Sequence, residues 1–184
     1  MKKLLQEICK EKRYVSLYTD TAEPTKFNFC QPRTLFDEYV LVMMVTPLGA
    51  YDGLRLRAFK FIYKIEQDDA YGKAIVECYH PDANRQDDWL VKLPESKEEL
   101  LAMLIKRNCI VSLSILDTDI LDITGFVTKV KDGICYVNQV DYLGYADGEA
   151  MVKVEDISEI QFESEDERKV QSLFYMRQAT ESAR

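Results

Sequence analysis

The stretch ILDITGFVTKVKDGICYVNQV, residues 120–140, decides the fold. Two β-branched runs, 120–130 and 134–140, flank Lys131-Asp132-Gly133. Asp-Gly between alternating apolar runs is a strong hairpin signal, because the tightest hairpin turns need positive φ at both central residues. Gly125 sits inside the first run. A glycine there marks a bulge or a sharp bend.

Upstream, Pro94 precedes Ser96-Lys97-Glu98-Glu99. This is a capping box: the serine hydroxyl accepts from an early helix N–H while the glutamate reaches back. A helix then runs to about Arg107, with Leu100, Leu101, Leu104 and Ile105 on one face. Lys106 and Arg107 suit its negative C-terminal end. Residues 109–116 read as a strand and Asp117-Thr118-Asp119 as a turn. Downstream, 141–148 form a loop, 149–154 a fourth strand, Glu155-Asp156-Ile157 a short turn and 158–162 a fifth strand. A closing helix over about 165–179 turns Val170, Leu173 and Phe174 inward.

This plan occurs twice. Leu4 to Lys10 is echoed by Leu100 to Lys106, and Val15-Ser16-Leu17 by Val111-Ser112-Leu113, both at an offset of 96. Leu48-Gly49-Ala50-Tyr51-Asp52-Gly53 matches Leu143-Gly144-Tyr145-Ala146-Asp147-Gly148 at an offset of 95. Val42, Val45, Ile62 and Ile65 keep that register with Val137, Val140, Ile157 and Ile160. An ordered series with one single-residue gap reads as a tandem duplication. In the first copy a helix is expected over 2–12 and strands over 14–18, 39–45, 54–59 and 61–66. A looser loop is expected over 19–32, and over 68–79 a helix, with a strand left open by Gly72 and the β-branched Ile75-Val76. The expected division is 1–80, a linker at 81–95, and 96–184.

Composition narrows the class. The chain has 184 residues and a net charge of −8. Residues 1–95 hold 14 basic and 15 acidic side chains, whereas 96–184 hold 10 and 17. This balance argues against broad coating of nucleic acid or an anionic membrane. No apolar run approaches the roughly 20 residues of a membrane span, and the N-terminal residues lack the apolar core of a signal peptide. Cys9, Cys30, Cys78, Cys109 and Cys135 are odd in number and widely spaced, as expected of reduced thiols in the cytoplasm. A single histidine and no clustered ligands leave no metal or cofactor site to expect.

The order of a helix and five short bent strands resembles the Sm-like fold. Val111-x-Leu113, Gly125-x-Val127-x-x-Val130 and Val152-x-Val154-x-x-Ile157-x-x-Ile160 carry the resemblance. It covers about 97–163 and, more loosely, 2–67. It implies two tandem five-stranded Sm-like barrels in a mainly β, α+β chain, with barrel edges able to pair. Sm-like proteins commonly bind RNA through an acidic residue and an asparagine after the bent strand, and a basic-glycine pair in the last hairpin. Those positions fall near Lys131 and Cys135, and the last hairpin carries Glu155-Asp156. The RNA-binding residues therefore do not carry over.

The paired Gly-x-x-Asp-Gly loops are the best candidate binding feature. They bring Tyr51 and Asp52 in the first copy, and Tyr142, Tyr145 and Asp147 in the second. Tyrosines there can anchor a peptide or stack on a base. The plainer reading is two equivalent turns whose glycines supply positive φ. Arg55 and Arg57 share one strand face and, with Arg33, suggest a small basic patch; the plainer reading is solvated strand faces. The run 163–167 reads as a helix N-terminal cap. His80 reads as a turn residue, and Trp89 as an anchor pinning the linker. The resulting expectation is a non-catalytic binding or scaffold protein with a protein partner or self-association through strand edges. The alternative is a regulator binding RNA or nucleotide through Arg55, Arg57 and the tyrosine loops.

Overall fold

The structure, a computed structural model, describes residues 1–78, 93–116 and 122–182. His80, Trp89 and the 117–119 turn lie outside the described residues, as does most of the 81–95 linker. The chain divides into two compact units, Met1–Glu95 and Ser96–Arg184.

The first unit runs α1 (Lys2–Lys10), β1 (Val15–Tyr18), β2 (Asn28–Phe36), β3 (Tyr39–Val45), β4 (Tyr51–Ala58), a 3-10 turn (Phe59–Phe61), β5 (Lys64–Glu66) and α2 (Ala70–Cys78). Its strands are antiparallel in the order β5-β1-β2-β3-β4. Leu5 and Ile8 of α1 pack among Val15, Leu17, Cys30, Val40, Val42 and Met44. The strand β2 begins at Asn28, inside the 19–32 segment where a loop is expected. Pro32 disguises it in the sequence, and the structure accommodates that proline with a register shift between Pro32 and Thr34.

The second unit runs α3 (Lys97–Arg107), β6 (Ile110–Ile115), β7 (Ile123–Lys131), β8 (Ile134–Val140), β9 (Ala146–Lys153), a 3-10 turn (Val154–Asp156), β10 (Ile157–Phe162) and α4 (Glu165–Ser182). Its antiparallel order is β10-β6-β7-β8-β9. Ser96 caps α3 by accepting from the Glu99 N–H at 3.1 Å, and Asn108 ends it in the left-handed region. Asp132 and Gly133 have φ of 51° and 75°, as the Asp-Gly hairpin requires. Gly125 lets β7 approach β8 closely: a Cβ there would sit 2.1 Å from the Asn138 carbonyl oxygen.

The chain is α+β with open antiparallel strands, which corrects the expectation of two closed barrels. Within the units, the described residues pair neither β4 with β5 nor β9 with β10. β5 supplies only three residues, and β9 shows a register shift between Asn138 and Val140, with Gly148 at φ 84°. Helices do the covering that closure would otherwise do. In the second unit, Val170 and Phe174 of α4 pack on Ile110, Phe126 and Val140. Burial of the Lys97 ammonium lowers its pKa below the usual lysine value, and Nζ donates to the Ile157 carbonyl at 2.9 Å.

The copies differ under their closing helices. Ser112 faces Thr124 across β6–β7, and its Oγ donates to the Glu167 carboxylate of α4 at 2.7 Å. The equivalent Ser16 faces Phe29, and Gly72 stands at the position of Glu167. The Phe29 ring fills that space, since a Cβ on Gly72 would meet it at 2.9 Å. Ser16 Oγ is buried with no hydrogen-bond partner. Removing a bond to a buried charge costs more than removing an unsatisfied hydroxyl. Ser112→Ala should therefore lose about 1.5–3 kcal/mol, and Ser16→Ala should be neutral or stabilising within about 0.5 kcal/mol. Urea denaturation midpoints check this, and equal losses would contradict it.

Candidate functional site

The Asp141 to Gly148 loop of the second unit is built by its own first residue. Asp141 Oδ1 accepts from the backbone N–H of Leu143 at 2.9 Å and of Tyr145 at 2.8 Å. An aspartate at a turn start commonly does this. Main-chain bonds from Asp141 to Tyr145 and from Gly144 to Asp141 close it. The first copy repeats the design with Thr46, whose hydroxyl accepts from Ala50. Gly49 and Gly144 have φ of 78° and 82°, and Gly53 and Gly148 have 79° and 84°. The shared glycines thus serve turn geometry in both copies.

The loop rests on α4. Gly144 is buried against Leu173 and Phe174. The Arg177 Nε donates to the Leu143 carbonyl at 2.7 Å, and its guanidinium lies 3.8 Å from the Tyr145 ring centre. This leaves Tyr142 78% exposed, with Leu143 and Tyr145 about half exposed beside it.

Between the loop, the strand face and the start of α4 lies a cavity of about 520 Å³. That is within the usual range for a ligand pocket. Tyr142 and Asp147 line it, as do Asp122, Asp141 and Asp166, with Lys169 as the lining cation. Its floor holds a buried polar network. The Glu167 carboxylate, 3% exposed, accepts from Ser112 Oγ, from Gln161 Nε2 and from both the backbone N–H and the hydroxyl of Ser164. The bond from the Ser164 N–H to the Glu167 carboxylate is the return half of a capping box at the start of α4. The acidic run 163–167 thus caps the helix and also reaches into the sheet.

The first copy arranges its candidates differently. Arg55 and Arg57 lie opposite Val42 and Val40 on β3, both in the apolar core, so the arginines share the core-side face. Arg55 is half-buried and donates to Asn28 Oδ1 at 3.3 Å. Arg57 is 8% exposed and its guanidinium lies 5.6 Å from the Phe61 ring centre. Tyr51 and Asp52 are half-buried on the same strand. Arg33 donates to Gln31 Oε1.

Sequence reading missed the cavity. Its walls come from β6, β7, β8, the loop and α4, and no single segment betrays it. Tyr142 and Asp147 were the legible part. Among the described residues no three His, Cys, Asp or Glu side chains converge as a metal site requires. Burial pushes the Cys135 thiol up to about 11 and the Cys109 thiol up to about 12. Cys30, fully buried, is raised by the same cause. Such thiols stay protonated and poorly nucleophilic near neutral pH. No helix among the described residues is long and apolar enough to cross a membrane.

No protein-family model, curated protein or solved structure matches the chain.

Two outcomes follow from this geometry. A thiol reagent at pH 8 should modify the exposed Cys78 first and reach Cys30, Cys109 and Cys135 only on unfolding. Uniform labelling of the folded chain would contradict the burial. Gly144→Ala pays for both positive φ and a 2.6 Å approach to Leu173, whereas Gly148→Ala meets nothing within 4 Å. Thermal unfolding should show Gly144→Ala the more damaging, with a backbone cost of about 1–3 kcal/mol before the clash is counted.

Proposed function

We propose that the chain is a non-catalytic binding module for a protein partner. It is built from two Sm-like units of which the second carries the working face. The carrying observation is the pairing of an exposed aromatic rim with an acidic hollow. Tyr142, Leu143 and Tyr145 stand at the surface on a loop held by Asp141, Gly144 and Arg177, beside the cavity walled by Asp122, Asp147 and Asp166. Aromatic side chains on a rigid support anchor protein interfaces, and surrounding charge selects the partner. A partner segment with basic side chains fits this surface.

The Sm-like reading draws support from several features. In each unit a helix precedes the strands, the strand order is 5-1-2-3-4, and in the second unit a glycine in the long second strand permits close packing. Cytoplasmic residence fits five cysteines without a disulfide.

The test compares proteins crosslinked to the full chain in its native cells with those crosslinked to variants. Tyr142→Ser should lose the specific partner by at least tenfold while its thermal unfolding stays within a few degrees. Tyr51→Ser, in the equivalent loop of the first copy, should retain it. Filter binding at low and high salt gives the opposing outcome. RNA affinity that falls steeply with salt and disappears in Arg55→Gln would replace this reading with nucleic-acid binding.

A further inference from the structure

The residues of β9 that this reading leaves unused carry their own information. Among the described residues β9 pairs on one side only, with β8. Past the irregular start at Gly148, Glu149 to Lys153 keep a regular register with Asn138 to Ile134. None of the five is buried, and none is a proline. Their outer backbone N–H and C=O groups form an open edge of the kind that templates strand pairing, and its charges, Glu149 and Lys153, restrict which strand can pair there. By contrast β5 is only three residues long, and its Lys64 and Glu66 are ion-paired at 2.6 Å.

Alternation assigns the side chains. Ala150 and Val152 lie opposite Val137 and Cys135, both fully buried, so they face the core side. Glu149, Met151 and Lys153 face outward, with Met151 60% exposed. This five-residue string is complementary to its own reverse. Laid antiparallel on itself about Met151, Glu149 meets Lys153, Ala150 meets Val152, Met151 meets Met151, and the other half repeats by symmetry. Opposite charges directly across an antiparallel pair stabilise it, whereas like charges destabilise it. A one-residue slip would set outward side chains against inward ones. Lys153 contacts Glu155 at 3.5 Å, but both side chains are more than 60% exposed, so the pair exchanges readily for a new partner.

We propose that β9 is a homodimerisation edge: a second copy of this chain pairs there, antiparallel and two-fold symmetric, with the axis at Met151. The contact is isologous, so it closes at two copies and leaves no growing end. It goes beyond the partner-binding reading and does not need it. The tyrosine rim and this edge can succeed or fail separately.

Light scattering across a dilution series of the full chain should show mass rising from 21.4 kDa toward twice that value. Glu149→Lys should weaken the dimer at least tenfold, and adding Lys153→Glu should restore it, because the swapped pair has the same complementarity. Register is read by disulfides. Met151→Cys should crosslink copies to each other, whereas Glu149→Cys alone should not. Glu149→Cys mixed with Lys153→Cys should crosslink. Native Cys78 is replaced by serine throughout to remove the exposed competing thiol. A strictly monomeric chain up to the concentration of an NMR sample overturns the proposal. So does a dimer indifferent to Glu149→Lys, or one crosslinked by Glu149→Cys alone.

Discussion

Glu167 faces a hard requirement. Its carboxylate is almost wholly buried, and a buried charged group left without hydrogen bonds costs more than the about 1–3 kcal/mol of a neutral unsatisfied group. Ser112, Gln161 and Ser164 meet that requirement from β6, β10 and the turn before α4. The start of α4 also favours negative charge, because its backbone N–H groups point there. Together these interactions fix where the helix begins on the sheet. Once α4 is placed, Val170 and Phe174 cover Ile110, Phe126 and Val140. Leu173 then receives Gly144, and Arg177 holds the loop from the other side. The exposed tyrosines and the cavity are consequences of that one anchored helix.

The first copy shows what happens without the carboxylate. Gly72 and Phe29, at the positions of Glu167 and Thr124, put ring packing in place of the charge, and the Ser16 hydroxyl is left over. The outer faces of the paired third and fourth strands diverge as well. Leu41, Met43, Leu54 and Leu56 are buried in the first copy. Their counterparts Tyr136, Asn138, Glu149 and Met151 are polar or open to solvent in the second. One plan therefore supports an apolar, covered version and an acidic, open version. The uneven charge of the two halves is the sequence trace of that division.

Local signals were legible in proportion to how much of their physics is local. The Asp132-Gly133 turn and the Ser96 cap depend on a few adjacent residues, and both stand where the sequence puts them. β2 was hidden because Pro32 reads as a strand breaker unless the register shift beside it is known. The start of β9 was placed three residues late, because Gly148 obscures the extended stretch before it. The inward bias of Arg55 and Arg57 was illegible, since alternation says that they share a face and only the pairing with Val40 and Val42 says which. The cavity depends on Ser112, Asp147 and Glu167 meeting across long separations, so no motif announces it.

We propose that the second unit, through its anchored loop, is the face that engages a partner. Hydrogen exchange measured on the full chain, free and within the complex isolated from its native cells, tests it most directly. The partner should slow exchange across 141–148 and the start of α4, and leave 51–58 unchanged. Protection confined to 51–58, or no change in 141–148, would contradict it.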